Sequence, residues 1–386
     1  MFKREIEAQL LSLSRSFPVV TITGPRQSGK TTLVKHVFKD KPYANLEHPE
    51  TREFAEVDPV RFLSQFPEGA VLDEIQRVPL LLSYIQVIVD EKDIKGMFIL
   101  TGSHQMELHQ AVSQSLAGRT VLLELLPMSL TELQNAGITL SIDDALLLGG
   151  YPRIFKENLN PTIAYGSYFK TYVERDLRQL ILVKDLGQFQ RFIRLCAGRI
   201  GQLLNLESLS NEVGVSSHTI KHWLSILEAS FIIFRLQPYH ENIGKRLVKS
   251  PKLFFTDVGL ASYLLGIEST TQMSRDPQRG HLFENLIVLE LMKARLNRCK
   301  DPNLYFFRDT QGHEVDIIFK VGHELFPIEV KSTETFHRTL LKNLDYFSTL
   351  MSERVSKGYL VYGGKTELPV GAYQILNYQH ASTICE

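Results

Sequence analysis

The chain has 386 residues, 44% of them hydrophobic and 22% charged, the balance of an ordinary globular protein of about two or three domains. Its 43 basic and 43 acidic side chains cancel, which excludes a protein that coats nucleic acid by bulk charge and leaves only local basic patches for such contacts. No apolar run reaches the roughly 18 residues of a membrane span, the N-terminus lacks a secretory apolar core, and three scattered cysteines (Cys196, Cys299 and Cys385) argue against a disulfide framework. A cytoplasmic protein with no membrane partner is expected.

Pro18 to Thr23 predicts a strand. Gly24-Pro25-Arg26-Gln27-Ser28-Gly29-Lys30-Thr31 then fits G-x-x-x-x-G-K-[ST] without a gap, and Thr32 to Phe38 can continue as a helix. In that strand–loop–helix context the glycines let the backbone curl, so that several N–H groups face one anion, and the helix N-terminus adds its partial positive charge. Residues 24–32 are therefore the candidate site for ATP. Lys30 can reach the β- and γ-phosphates, and the Thr31 hydroxyl can hold Mg²⁺.

Strand-like and helix-like segments alternate beyond this point, the pattern of an α/β fold. Strands are expected at 43–47, 70–74, 97–103 and 119–126, with helices at about 79–91 and 104–117; with the strand before the loop they make five. Asp73 and Glu74 end an apolar strand about 40 residues after Lys30. Chemistry needs two carboxylates there. Asp73 would hold Mg²⁺, and Glu74 would orient and deprotonate the attacking water. Ser103 ends the next strand and can contact the γ-phosphate or that water, with Thr101 and His104 as rivals and a helix N-cap as the plain alternative. Arg119, after Gly118, suits an arginine finger reaching the γ-phosphate of a neighbouring subunit, which would make the protein a homo-oligomer.

The middle of the chain predicts a winged helix. A helix at 206–213, a tight turn at Gly214-Val215-Ser216 and a helix from Ser217 to Leu227 precede two β-rich runs, 231–236 and 252–256. Ser217, His218, Lys221 and His222 would face DNA from the second helix, and Lys245, Arg246 and Lys249 from the hairpin tip. Trp223 belongs with the core. Such modules inside ATPases also serve as lids or subunit contacts, and basic runs are often solvated faces.

The last segment opens with an amphipathic helix from Gly280 to Leu296, followed by strands at 304–308, 314–319 and 326–331, a helix at 336–350 and a strand at 357–362. Asp316 and, thirteen residues on, Glu329-Val330-Lys331 have the D…E-x-K spacing of restriction-endonuclease-like folds. Period-2 geometry puts Glu329 and Lys331 on one strand face, where Asp316 can join them. Two carboxylates can bind a metal, Lys331 can assist a bound water, and Glu284 is a possible extra ligand. The alternative is a structural ion pair of Asp316 and Glu329 with Lys331 or Arg308.

Five segments then stand in one order: residues 24–32, Val71-Leu72-Asp73-Glu74-Ile75-Gln76, Leu100-Thr101-Gly102-Ser103, Leu116-Ala117-Gly118-Arg119 and Leu125-Leu126-Pro127-Met128-Ser129. With Gly149-Gly150-Tyr151-Pro152 and Tyr172-Val173-Glu174-Arg175-Asp176, the chain resembles, over its full length, the prokaryotic AAA+ superfamily predicted ATPases whose C-terminal half is a domain of unknown function. The resemblance implies a five-stranded AAA core, Lys30, Thr31 and Asp73 at the nucleotide, and assembly into rings or smaller oligomers. The expected organisation is a P-loop AAA-type ATPase domain at 1–135, with a parallel sheet and helices on both faces. A helical linker or lid at 136–200, a winged helix at 201–265 and a smaller α/β nuclease-like domain at 275–386 follow. Three functions suit the sequence. The first is an ATPase controlling a DNA-binding or nuclease-like half. The second is an ATP-controlled signalling or defence switch whose C-terminal domains bind protein. The third, a small-molecule kinase, is disfavoured by adjacent Asp73-Glu74 and Arg119.

Overall fold

The computed structural model describes residues 1–103, 115–177, 186–240 and 248–385. The chain divides into two compact units. One holds Met1–Met128 with Ala229–Phe231 and Leu296–Lys300; the other holds Ser129–Glu228, Ile232–Arg295 and Asp301–Glu386.

In the first unit the short apolar runs become strands β1 (Val19–Thr23), β2 (Tyr43–Asn45), β3 (Ala70–Asp73), β4 (Phe98–Thr101) and β5 (Thr120–Glu124). They form one sheet in the order β2-β3-β4-β1-β5, every pair parallel. Parallel strands need crossovers, so helices come to cover both faces. Val71 and Ile99 pack with Ile6, Leu10, Leu33 and Val34 on one side, whereas Leu72, Phe98 and Leu100 pack with Phe62, Leu82, Ile85 and Val89 on the other. That alternation is the strand period of two. All residues of β1, β3 and β4 are buried, which is why these strands are rich in Val, Ile and Leu on both faces rather than alternating apolar with charged residues. Burying each such Val, Leu or Ile contributes about 1.5–3 kcal/mol. Because β1, β3 and β4 run in the same direction, the loop after β1, the carboxylates after β3 and Ser103 after β4 emerge at one edge of the sheet, where open α/β sheets bind ligands. Most of the helix expected at 104–117, His104 included, lies outside the described residues.

The second unit opens with helices. Gly149-Gly150-Tyr151-Pro152 ties them to a distant turn: the buried Asp257 carboxylate accepts from Gly150 N at 2.8 Å, Tyr165 OH at 2.6 Å and Leu260 N at 3.0 Å. Gly149 has φ +62°, and a Cβ there would lie 2.3 Å from Asp257 Oδ1, so only glycine fits. Tyr172 and Val173 are buried in the π-helical stretch Phe169–Leu177. The helices Leu206–Val213 and Ser217–Ala229 flank Gly214, which turns with φ +82°. Strands β6 (Ile233–Leu236) and β7 (Lys252–Phe255) then pair antiparallel. Trp223 is buried against Phe189 and Phe192, as its position between the polar and apolar faces implied.

A six-stranded mixed sheet follows: β8 (Leu304–Arg308), β9 (Glu314–Val321), β10 (Glu324–Lys331), β11 (Gly358–Tyr362), β12 (Leu368–Val370) and β13 (Tyr373–Asn377), ordered β12-β13-β11-β10-β9-β8. The helix Arg279–Leu296, expected to be amphipathic, is instead buried nearly all round, Glu284, Glu290 and Lys293 included. Its charges are buried because they are paired: Lys293 with Glu290 at 2.9 Å and Glu284 with Lys252 at 2.8 Å. The helix expected at 336–350 divides into a 3₁₀ turn, Arg338–Leu341, and an α-helix, Lys342–Leu350.

Candidate functional site

Residues 24–31 curl between β1 and the helix Lys30–Val37, with left-handed backbone at Gln27 (φ 65°) and Gly29 (φ 99°). At Gly24 a Cβ would lie 2.2 Å from the Leu125 carbonyl oxygen, so only glycine allows the turn to pass that close to the strand exit. The first-turn N–H groups of the helix have no intrahelical acceptor and face outward along its axis. Lys30 is buried and folds back over the loop, its Nζ donating to the carbonyls of Gly24 at 2.9 Å and Pro25 at 2.8 Å. Burial pushes its ammonium down to about 8, against the opposing pull of Glu74 and Asp73. Arg26 reaches Glu47 at 3.9 Å. Ser28 is buried and its hydroxyl has no hydrogen-bond partner. Thr32 follows Thr31 in the first turn.

Asp73 gathers polar groups from three elements. Thr31 Oγ1 donates to it at 2.9 Å, Tyr43 OH at 2.6 Å, and Thr101 Oγ1 makes a third hydrogen bond. Burial and Asp73 together raise the Tyr43 phenol above its ordinary value. Glu74 sits in left-handed backbone, φ 59°, a costly conformation for a residue with a side chain. Its carboxylate accepts from Ser103 Oγ at 2.9 Å and from Gln76, while its own N–H is held by Thr101 at 3.2 Å. Ser103 therefore orients Glu74, and its rival Thr101 orients Asp73. Arg119 lies at the surface in a two-point ion pair with Asp90, at 2.5 and 2.7 Å.

Three further residues complete this edge; Tyr43 and Arg4 lie in none of the segments that carry the resemblance, and Gln76 closes one of them. Tyr43 starts the strand beside Asp73, and the pairing of Asn45 with Asp73 is the register that brings them together. Gln76 lies two residues past Glu74. Arg4, buried near the N-terminus, donates to the carbonyls of Ser28 at 2.8 Å and Leu126 at 2.7 Å. Nothing local in the sequence marks Arg4.

In the C-terminal sheet Asp316, Glu329 and Lys331 come together as their spacing predicts. Lys331 Nζ lies 2.8 Å from Glu329 and 3.4 Å from Asp316, and Asp316 also accepts from Val330 N at 2.8 Å. Burial, with Asp316 beside it, raises Glu329 from 4.5 to about 8, and one of its oxygens is buried without a hydrogen-bond partner. Burial alone would lower Lys331, but Asp316 and Glu329 outweigh it and raise the ammonium. Glu284 does not join as a ligand. It is taken by Lys252, which is buried and also bonds Glu314 at 2.5 Å. Glu284 therefore has a buried ion-pair partner already. Among the described residues no group of three or more His, Cys, Asp or Glu could hold a metal ion. Arg308 bonds Glu314, at 3.0 Å, rather than Asp316 or Glu329.

On the helix Ser217–Ala229, His218, Lys221 and His222 are exposed, and Ser217 donates to Ser210 at 3.3 Å. Lys249 is exposed; Lys245 and Arg246 lie outside the described residues. No described helix is long and apolar enough to cross a membrane.

Three families match in succession. One described as an AAA domain covers residues 16–134, and two described as domains of unknown function cover 139–271 and 279–380. The uncharacterized protein Rv2008c of Mycobacterium tuberculosis is 31% identical over 372 residues, 95% of this chain and 81% of that protein. An uncharacterized protein of Haemophilus influenzae is 24% identical over 366 residues, covering 86% and 87% of the two chains. Among solved structures, the Walker-type ATPase PABY2304 of Pyrococcus abyssi aligns at 14% identity and a TM-score of 0.45, over 68% of this chain and 96% of that one. With an AAA domain on the residues that build the loop and its carboxylates, and with a relative of this identity along nearly the whole chain, the protein belongs to the AAA+ ATPase superfamily, in the family that includes the mycobacterial protein.

Proposed function

We propose that the chain binds ATP on residues 24–32, hydrolyses it with Mg²⁺, and uses its nucleotide state to control a DNA-facing C-terminal half, within the four-part organisation read from the sequence. The observation that carries this reading is the Thr31–Asp73 hydrogen bond. It joins a hydroxyl and a carboxylate, hard oxygens that suit Mg²⁺, at 2.9 Å, on the helix turn that begins with Lys30. When bound, the metal ion neutralises charge on the β- and γ-phosphates. The protein's part is positional. The N–H groups of residues 29–32 face the phosphates, and Lys30 exchanges its two loop carbonyls for phosphate oxygen. Glu74, oriented by Ser103 and Gln76, accepts the proton of the attacking water. Arg119 is the residue suited to reach a neighbouring copy in a homo-oligomer, because it lies at the surface; to do so it must exchange its two-point pair with Asp90 for the phosphate. Phosphate release by the wild type in Mg²⁺, and its loss in EDTA and in Lys30→Ala, is the expected result. No turnover by the wild type, with no heat on titrating Mg-ATP, overturns the reading.

DNA contact draws support from exposed His218, Lys221, His222 and Lys249 and from the convergence of Asp316, Glu329 and Lys331. It is tested by DNA-stimulated turnover, and cleavage by incubating plasmid with Mg²⁺ or Mn²⁺. Nicking by the wild type but not by Asp316→Ala is expected of a nuclease; equal nicking by both means contamination. One observation favours the second reading, an ATP-controlled signalling or defence switch whose C-terminal domains bind protein. Lys252 and Lys331 already hold Glu284, Glu314, Asp316 and Glu329 in ion pairs. Under that reading DNA neither binds nor stimulates.

A further inference from the structure

Arg4 lies outside residues 16–134, the span of the AAA-domain match. It precedes the helix Glu7–Ser14 and is 4% exposed. An arginine is buried this deeply only where its donors are used. Here the planar guanidinium spans two main-chain oxygens, Nη1 to Ser28 O at 2.8 Å and Nη2 to Leu126 O at 2.7 Å. One side chain thus joins the phosphate loop to the segment that leaves β5. The other end of the loop is fixed to the same segment, since Gly24 packs on the Leu125 carbonyl and Leu125 N donates to Thr23 O at 2.8 Å.

The Ser28 carbonyl shares its peptide plane with the N–H of Gly29. In a trans peptide the two point in opposite directions. A group that holds the carbonyl on one side therefore aims the N–H to the other. Gly29 is the left-handed residue at the start of the Lys30–Val37 helix, where small rotations of that plane would turn its donor away from an anion. The guanidinium resists such rotation better than an ammonium, because its two donors are fixed in one plane and both are engaged.

We propose that Arg4 is a positioning residue for polyphosphate: it sets the Ser28–Gly29 peptide plane, and so the direction of a loop N–H, without touching the nucleotide. The inference rests on the nucleotide reading above. It predicts a loss confined to the phosphate part of the ligand. The experiment is calorimetric titration of full-length wild type, Arg4→Gln and Arg4→Lys with ATP, ADP and inorganic tripolyphosphate, with thermal unfolding of each protein alongside. Arg4→Lys keeps the charge but replaces the planar fork by a single ammonium, which makes it the variant more apt to fold. Folded Arg4→Gln should bind all three ligands about tenfold more weakly, the loss of roughly one charge-assisted hydrogen bond's worth of organisation, with Arg4→Lys in between. A residue that only stabilised the fold would lower the unfolding temperature and leave these affinities unchanged. If the wild type binds and both folded variants bind tripolyphosphate as tightly as it does, the role of Arg4 is refuted and the nucleotide reading stands. If the wild type binds neither ATP nor tripolyphosphate, both fall together.

Discussion

At the loop after β1, charge is handled by main-chain N–H groups and one lysine; in the C-terminal sheet it is handled by side chains of both signs. Lys30 rests on two neutral carbonyls of its own loop, which a phosphate can displace without leaving a charge unpaired. Lys252 rests on Glu284 and Glu314, and Lys331 on Glu329 and Asp316. A ligand arriving there must first undo ion pairs. The first arrangement is prepared for an anion from outside, whereas the second is largely satisfied from within. A match to a sequence spacing tells which residues meet, but not whether their charges are still available.

The largest expected effect belongs to the loop. Lys30→Ala should cut ATP turnover by on the order of 10²–10³-fold, as loss of a key stabilising donor does, measured by steady-state phosphate release. Glu74→Gln should follow, with kcat down about 10²-fold or more and ATP still bound in calorimetry, since it removes the proton acceptor and not the phosphate site. If Glu74→Gln instead weakened binding and spared kcat, Glu74 would be a structural cap on Ser103 and Gln76.

In the other region the effect should appear in stability. Lys252→Met leaves Glu284 without its buried counter-ion, while Glu314 keeps Arg308, and should cost about 3–5 kcal/mol in urea unfolding, with Glu284→Gln in the same chain restoring part of it. A Lys252→Met protein as stable as the wild type would show that those carboxylates do not depend on Lys252 as their counter-ion.

The smallest effects are pH profiles, and they have opposite signs. Glu329 is raised from 4.5 to about 8, so the folded chain keeps a proton that the unfolded chain releases. Stability should fall as pH rises from about 4.5 to 8, and Glu329→Gln should flatten that limb. Lys30 is lowered from 10.5 to about 8, so the folded chain releases its proton first, and its contribution to stability should rise between those values. Phosphate needs the charged lysine, so ATP affinity should fall above pH 8, by up to about tenfold per pH unit.

What could be read in advance followed the distance over which each feature is encoded. The loop is eight consecutive residues with a strand before and a helix after, so its geometry is local. Asp73, Glu74 and Ser103 were legible because each ends an apolar run, and parallel strands deliver such ends to one edge. Arg4 acts on a carbonyl 24 residues away through a fold that has to exist first, and Tyr43 depends on the register of β2 with β3. The partner of Glu284 lies 32 residues upstream on β7, which is why the carboxylate looked available from its helix alone. β12 has only three residues, one of them Pro369, so it carried no strand signal comparable to that of β8 to β11.

The carboxylate of Asp257 beneath Gly149 sets a limit on how this polypeptide can be cut. Residues 150 and 257 are 107 positions apart, yet one caps the other's turn. The amino-terminal helices of that unit are therefore unfinished until β7 and the turn after it have been synthesised. A fragment ending between them would emerge from the ribosome with a tyrosine hydroxyl and a glycine N–H still seeking their acceptor. A cut near residue 200 would part Gly150 and Tyr165 from the acceptor they share, so the two pieces should not complete that turn separately.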